Sequence, residues 1–177
     1  MNTIIYRDVI DKTSWGDGPW QQEPDKLQWQ DETGLPCLAV RHLRTGNWCG
    51  YVGVAHGHPL YGCHYTDAEV ELLPAHGGIT FSDHCQEGPD EHAICHIPSP
   101  GESDDVWWFG FDCAHFMDFM PGMSADMKDL GRHAVKHGIE PPDKREDLLF
   151  WPTYKTLAYV QACCHQLAEA LVWTRAT

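Results

Sequence analysis

CLAVRHLRTGNWCGYVGVA, residues 37–55, decides the fold. Segments 37–43 and 48–55 are both rich in β-formers, and Thr45-Gly46-Asn47 between them has turn chemistry. The stretch therefore reads as a β-hairpin. A second stretch, DVWWFGFDC at 105–113, reads as a central strand. Period-2 alternation puts Trp107, Phe109, Phe111 and Cys113 on one face and Trp108, Gly110 and Asp112 on the other. Aromatics on both faces predict a strand covered from both sides.

Outward from these two stretches the pattern is weaker. Short strands are expected at 79–81 and 93–97, separated by an acidic loop at 82–91, and 67–73 fits a strand or a short helix. Residues 1–36 read as an irregular, aromatic-rich arm packed on the core, with turn signals at Gly16 to Pro19 and at Pro24. Ser124 can cap a short helix reaching His137, with Gly138 as its terminating residue and Pro141-Pro142 beyond. Leu157, Val160, Cys164, Leu167 and Leu171 recur at helical spacing and mark a long amphipathic helix. The 177 residues show no internal repeat. Strands first and helices last predict a single α+β domain, mostly antiparallel sheet with a short helix and a long C-terminal helix.

Charge narrows the function. The chain carries 26 acidic and 12 basic residues, a net charge of −14, which disfavours direct binding to nucleic acid or anionic membrane. The acidity is concentrated: residues 66–126 carry −13, and no Lys or Arg occurs between Arg44 and Lys128. Twelve His make the total conditional, since protonating all of them takes −14 to −2. Docking that depends on this face should weaken in mild acid. The N-terminus lacks the basic-then-apolar pattern of a signal peptide, and no apolar run approaches the roughly 18 residues of a membrane span. The expectation is a cytoplasmic protein with reduced thiols. Cys163 and Cys164 fall in the helical pattern as small core residues.

Candidate chemistry lies in the same base-free region. His56-x-His58 leaves a strand with alternate residues on one side, and Cys113-x-His115 does the same at the end of 105–113. His76 precedes Gly77-Gly78, where backbone can approach a ligand closely. Imidazole, thiolate and carboxylate are zinc ligands, so His56, His58, His76, Cys113 and His115 form the candidate Zn²⁺ set. His64 lies nearby, and Asp112 or Asp118 would serve as base in a hydrolase. The same histidines also suit turn caps and carboxylate pairing. Adjacent Cys95 and His96 would point to opposite faces of a strand and so are not expected to share a metal. A Cys113 nucleophile with His76 or His96 is a weaker alternative. No phosphate-binding glycine motif occurs, so a small nucleotide would use Arg41, Arg44 or Arg132, or be held by backbone N–H groups or a metal, with Tyr61 and the His76–Gly77–Gly78 loop as ligand-binding candidates.

The runs CGYVGVAHGHPLYG, HGGITF, ICHIPSPGESDDVWWFGFDCAH and LAYVQACCHQLAEAL resemble a group of small bacteriophage and prophage proteins of unsettled function. The similarity covers most of residues 15–172, and DDVWWFGFDCAH is its most specific part. His58, Tyr61, His76, Asp112, Cys113 and His115 fall inside these runs. The resemblance implies a phage accessory setting, in which small acidic proteins counter host defence. The leading expectation is a non-enzymatic binding protein in the host cytoplasm that neutralises a host component. It would dock its acidic face on a basic host protein or sequester a small nucleotide signal. A zinc-dependent hydrolase built on the His/Cys/Asp cluster is the alternative.

Overall fold

The computed structural model describes residues 1–86, 88–123, 136 and 152–175. The expected helix at 124–137, all but Lys136, lies outside the described residues, as does Arg132. Six strands form one antiparallel sheet: β1 (Ile4–Tyr6), β2 (Lys26–Gln30), β3 (Pro36–Arg41), β4 (Trp48–Ala55), β5 (Phe81–His84) and β6 (Val106–Asp112). Their order is β1-β2-β3-β4-β6-β5. A single helical turn, α1 (Ala68–Glu71), precedes β5, and the long helix α2 (Leu157–Arg175) closes the fold. The α+β expectation holds. Among the described residues, no helix is long and apolar enough to cross a membrane.

The 37–55 hairpin forms as read, with Leu38 opposite Tyr51 and Arg41 opposite Trp48. Strand β6 lies beside β4, pairing Val52 with Phe109 and Gly50 with Phe111. Alternation sorts its side chains as expected. Trp107, Phe109, Phe111 and Cys113 face a core shared with Val160, Cys164, Leu167 and Leu171 of α2. Trp108 faces a smaller cluster with Leu38, Val40, Tyr51 and Val106. Gly50 lets the helix pack close on the sheet: a Cβ there would lie 2.4 Å from the Phe111 ring and 2.9 Å from Cys164 Sγ.

Three segments differ from the sequence reading. Residues 1–36 bury Trp15 at the Gly46 turn and Trp20 against Phe119 and Tyr154, and they also supply β1 and β2, because Lys26–Gln30 finds a partner in β3. The strand expected at 79–81 is displaced to 81–84. Residues 93–97 are irregular, because buried β2 side chains take the place of a ladder. Lys26 Nζ donates to the carbonyls of Asp90, Ala93 (2.8 Å) and Cys95 (2.9 Å), and Gln28 exchanges two hydrogen bonds with the Ile97 backbone. The expectation of uniformly reduced thiols is also corrected: Cys85 and Cys95 form a disulfide, while Cys163, Cys164 and the other four cysteines are free.

Helix α2 is also tied to the β2–β3 turn by His165 Nδ1, 3.1 Å from Asp31 Oδ1. The Asp31 hydrogen bond and charge raise the His165 pKa. Burial pushes the Asp31 carboxyl up, but hydrogen bonds from Thr33 and His165 outweigh it and hold it below the usual range. His165 therefore stabilises the fold fully below the ordinary imidazole value of about 6.5, and this is lost as pH rises through the raised folded value. Asp31 contributes fully above about 3.9, and this is lost as pH falls through its lowered folded value. His165→Ala should lower Tm most between about pH 4 and 6.5 and progressively less as pH rises through the raised folded value. An equal loss at every pH would rule out the ion pair.

Candidate metal centre

Three chain segments meet at one end of the sheet. The first is the loop after α1, where buried Leu73 and Ile79 anchor the ends of Pro74–Gly78. Gly78 N–H closes this turn onto the Ala75 carbonyl at 3.2 Å. The second is the turn leaving β6, where Asp112 Oδ1 accepts from the Ala114 amide (3.0 Å) and Asp118 Oδ2 from the His115 amide (3.0 Å). The third is the approach to α2, held by a parallel bridge between Asp118 and Thr153. It brings in Lys155 and, on the first helical turn, Tyr159.

His76, His115 and Asp118 each offer a ligand atom, and these atoms lie within 4.8 Å of one another. His76 Nε2 is 2.7 Å from Asp118 Oδ2, and His76 Nδ1 is 2.9 Å from the Tyr159 hydroxyl. His115 Nδ1 sits 3.4 Å from Asp118 Oδ2 and 3.9 Å from Asp112 Oδ1, yet this buried atom has no hydrogen-bond partner. Lys155 Nζ is 3.5 Å from Asp118 Oδ1, leaving Oδ2 to the imidazoles. Burial pushes the Asp118 carboxyl up, but hydrogen bonds from His76 and the His115 amide, with the charges of His76 and Lys155, hold it below the usual range. Asp118 is therefore ionised and a competent ligand at neutral pH. Burial, with help from Cys163, pushes the Tyr159 hydroxyl up to about 12, so it stays protonated.

Gly77 is the reason the imidazoles can meet. Its φ is +70°, and a Cβ there would fall 2.0 Å from His115 Nε2. Gly77 thus makes room for a histidine of the protein.

The remaining expected residues fall elsewhere. His56 and His58 do not join the cluster, because β4 ends at Ala55 and the strand alternation that would align them stops there. His58 spends both ring nitrogens on structure, Nε2 against the Leu171 carbonyl (2.9 Å) and Nδ1 accepting from the Leu60 amide (3.1 Å). His56 lies edge-on to Tyr61. The Tyr61 hydroxyl bonds to Asp105, away from His76. His64 is occupied locally with Thr66. Cys113 is 1% exposed within the core, and burial raises its thiol far above the usual value. It is neither an available thiolate ligand nor a nucleophile. Arg41 is also corrected from ligand-binding to structural: 1% exposed, it bonds Glu23, Gly46 and Tyr154 and stacks 4.1 Å over Trp48. Arg44 is exposed at the hairpin turn. Asp118 lies within the group of possible ligands rather than free as a base, and Asp112 lies beside His115.

Sequence reading missed Lys155 and Tyr159, which lie outside any motif; the Asp118–Thr153 bridge brings in the first, and the packing of α2 the second. It also misjudged Cys95 and His96. With no strand at 93–97 the alternation argument lapses, and Cys85, Cys95 and His96 form a second group of possible ligands. No family model matches the chain, no curated protein is detectably similar, and no solved structure matches its fold.

Proposed function

We propose that the protein is a metal-dependent hydrolase whose His76, His115 and Asp118 hold one Zn²⁺. The observation that carries this reading is the convergence of His76 Nε2 and His115 Nδ1 on Asp118 Oδ2, where His115 Nδ1 is within ion-pair distance but makes no hydrogen bond. Ligand atoms around a tetrahedral zinc stand about 3.3 Å apart; His115 Nδ1 and Asp118 Oδ2 are already at 3.4 Å, and His76 Nε2, at 2.7 Å from Asp118 Oδ2, would move outward to admit the ion. Three protein ligands leave a position open, as catalytic zinc sites require, whereas structural sites are closed by four. A zinc ion there supplies a Lewis acid and a water of lowered pKa. Asp112, 3.9 Å from His115 Nδ1 and bonded to Thr80, is placed to take a proton. The Tyr159 hydroxyl fixes the His76 ring. Among the described residues the cation at the site is Lys155, already engaged by Asp118, which favours an acyl substrate over phosphoryl transfer.

The second reading is the phage-type counter-defence protein that docks on a basic host protein. It rests on where the charges go. Asp67, Glu69, Glu71, Asp83, Asp104 and Asp105 are all exposed, while Lys12, Lys26 and Arg41 are buried. Sequestration of a nucleotide has less support, since Arg41 is consumed in the core and the Gly77 cradle is filled by His115.

Native mass spectrometry and metal analysis of the purified protein separate these readings. The hydrolase reading expects about one zinc per chain and ester hydrolysis that chelation abolishes and zinc restores. A metal-free chain that hydrolyses nothing but binds one basic host protein, more weakly as salt rises, would replace it with the docking reading.

A further inference from the structure

Cys85 follows β5 directly, and Cys95 and His96 lie in the segment that Lys26 and Gln28 hold against the sheet. Their two sulfurs and an imidazole nitrogen lie within 4.8 Å of one another. His96 is 7% exposed, and its Nδ1 has no hydrogen-bond partner. A cavity of about 320 Å³ opens over Cys85, Cys95 and His96, with Asp90 on its wall. Trp108 lies edge-on to His96 and directs its Nε1–H at Cys85 Sγ, 3.5 Å away, the kind of supporting contact that orients ligands. Burial lowers the His96 pKa below the ordinary imidazole value, with the charges of Glu102 and Asp104 opposing that shift and those of the N-terminus and Lys26 adding to it.

We propose that the Cys85–Cys95 disulfide is the oxidised, metal-free form of a zinc site whose ligands are Cys85, Cys95 and His96. A dithiol reductant delivers two electrons to the S–S bond, which breaks to two thiols while the reductant leaves as its own disulfide. Zn²⁺ then binds both sulfurs and His96 as the two thiol protons pass to solvent, and its fourth position opens to the cavity. Lys26 holds the Asp90, Ala93 and Cys95 carbonyls in both states, so little chain movement separates them. The site shares no ligand with the His76 centre.

The test uses Co²⁺ as the probe, in full-length protein carrying His76→Ala and Asp118→Ala so that the other centre is silent. With a phosphine reductant, one Co²⁺ per chain should bind with thiolate-to-cobalt charge-transfer absorption, and reoxidation should abolish it. Adding His96→Ala should weaken binding by about 10-fold or more. Absence of the thiolate absorption in the reduced chain, or an unchanged affinity with His96→Ala, overturns the proposal. In the wild-type chain, reduced and without substitutions, Zn²⁺ should protect Cys85 and Cys95 from alkylation, as read by peptide mass. Equal alkylation with and without Zn²⁺ overturns it as well.

Discussion

Glu23→Ala is expected to destabilise the protein by about 3–5 kcal/mol, the cost of breaking a buried ion pair from one side. Glu23 accepts from Arg41 Nη2 (2.9 Å), Trp48 Nε1 (3.0 Å), the Tyr154 hydroxyl and the Leu157 amide (2.8 Å). One carboxylate thus joins the N-terminal arm, both strands of the hairpin and the first residue of α2, where the helix dipole favours an anion. Burial raises its pKa, but these hydrogen bonds outweigh burial and keep it below the usual range. Removing it leaves Arg41, 1% exposed, with Asp25 at 3.6 Å as its remaining carboxylate. Asp25 is already 2.6 Å from Lys12. Against a total stability of about 5–15 kcal/mol the loss is large. Urea unfolding checks it, and a loss below about 1 kcal/mol would show that the network is dispensable. Glu23→Leu combined with Arg41→Met should recover much of the loss, because no buried charge is then left unpaired.

Gly77→Ala should weaken zinc binding at the His76 centre by roughly 100-fold, the upper end for disturbing the support of a metal ligand. Gly78→Ala should leave the affinity within a few-fold of wild type. Both glycines have positive φ, +70° and +97°, so both substitutions incur similar backbone strain. They differ in what the new Cβ meets: His115 Nε2 at 2.0 Å for Gly77, and nothing within 4 Å for Gly78. Asp118→Asn, which removes the ligand charge but keeps the shape, should reduce binding at least as much as Gly77→Ala. Calorimetric zinc titration of the three variants decides the matter. Equal affinities for the two glycine variants would mean that His115 is not a ligand.

The parts of the fold legible in the chain are those with short-range period. In β6, alternation alone separated Phe109 and Phe111 from Trp108. The Thr45-Gly46-Asn47 turn located the hairpin, and the Leu157–Leu171 stripe located α2. At 93–97 apolar residues resemble a strand, but Lys26 and Gln28, remote in sequence, bind the backbone instead. At His56 and His58 alternation no longer aligns the side chains, because β4 ends at Ala55.

Composition and order alone determined an acidic α+β chain with its charge concentrated at 66–126. They also marked His76, His115 and Asp118 as chemically apt, without bringing them together. Only the tertiary structure decided that His76 meets Asp118 across 42 positions, that Arg41 is a core residue, and that Cys95 and His96 face one cavity. The physical reason is one of range. Hydrophobic period acts between near neighbours and survives in any window of sequence. A buried polar group takes whichever partner the closed fold brings to it, and in this protein those partners come from other strands and from α2.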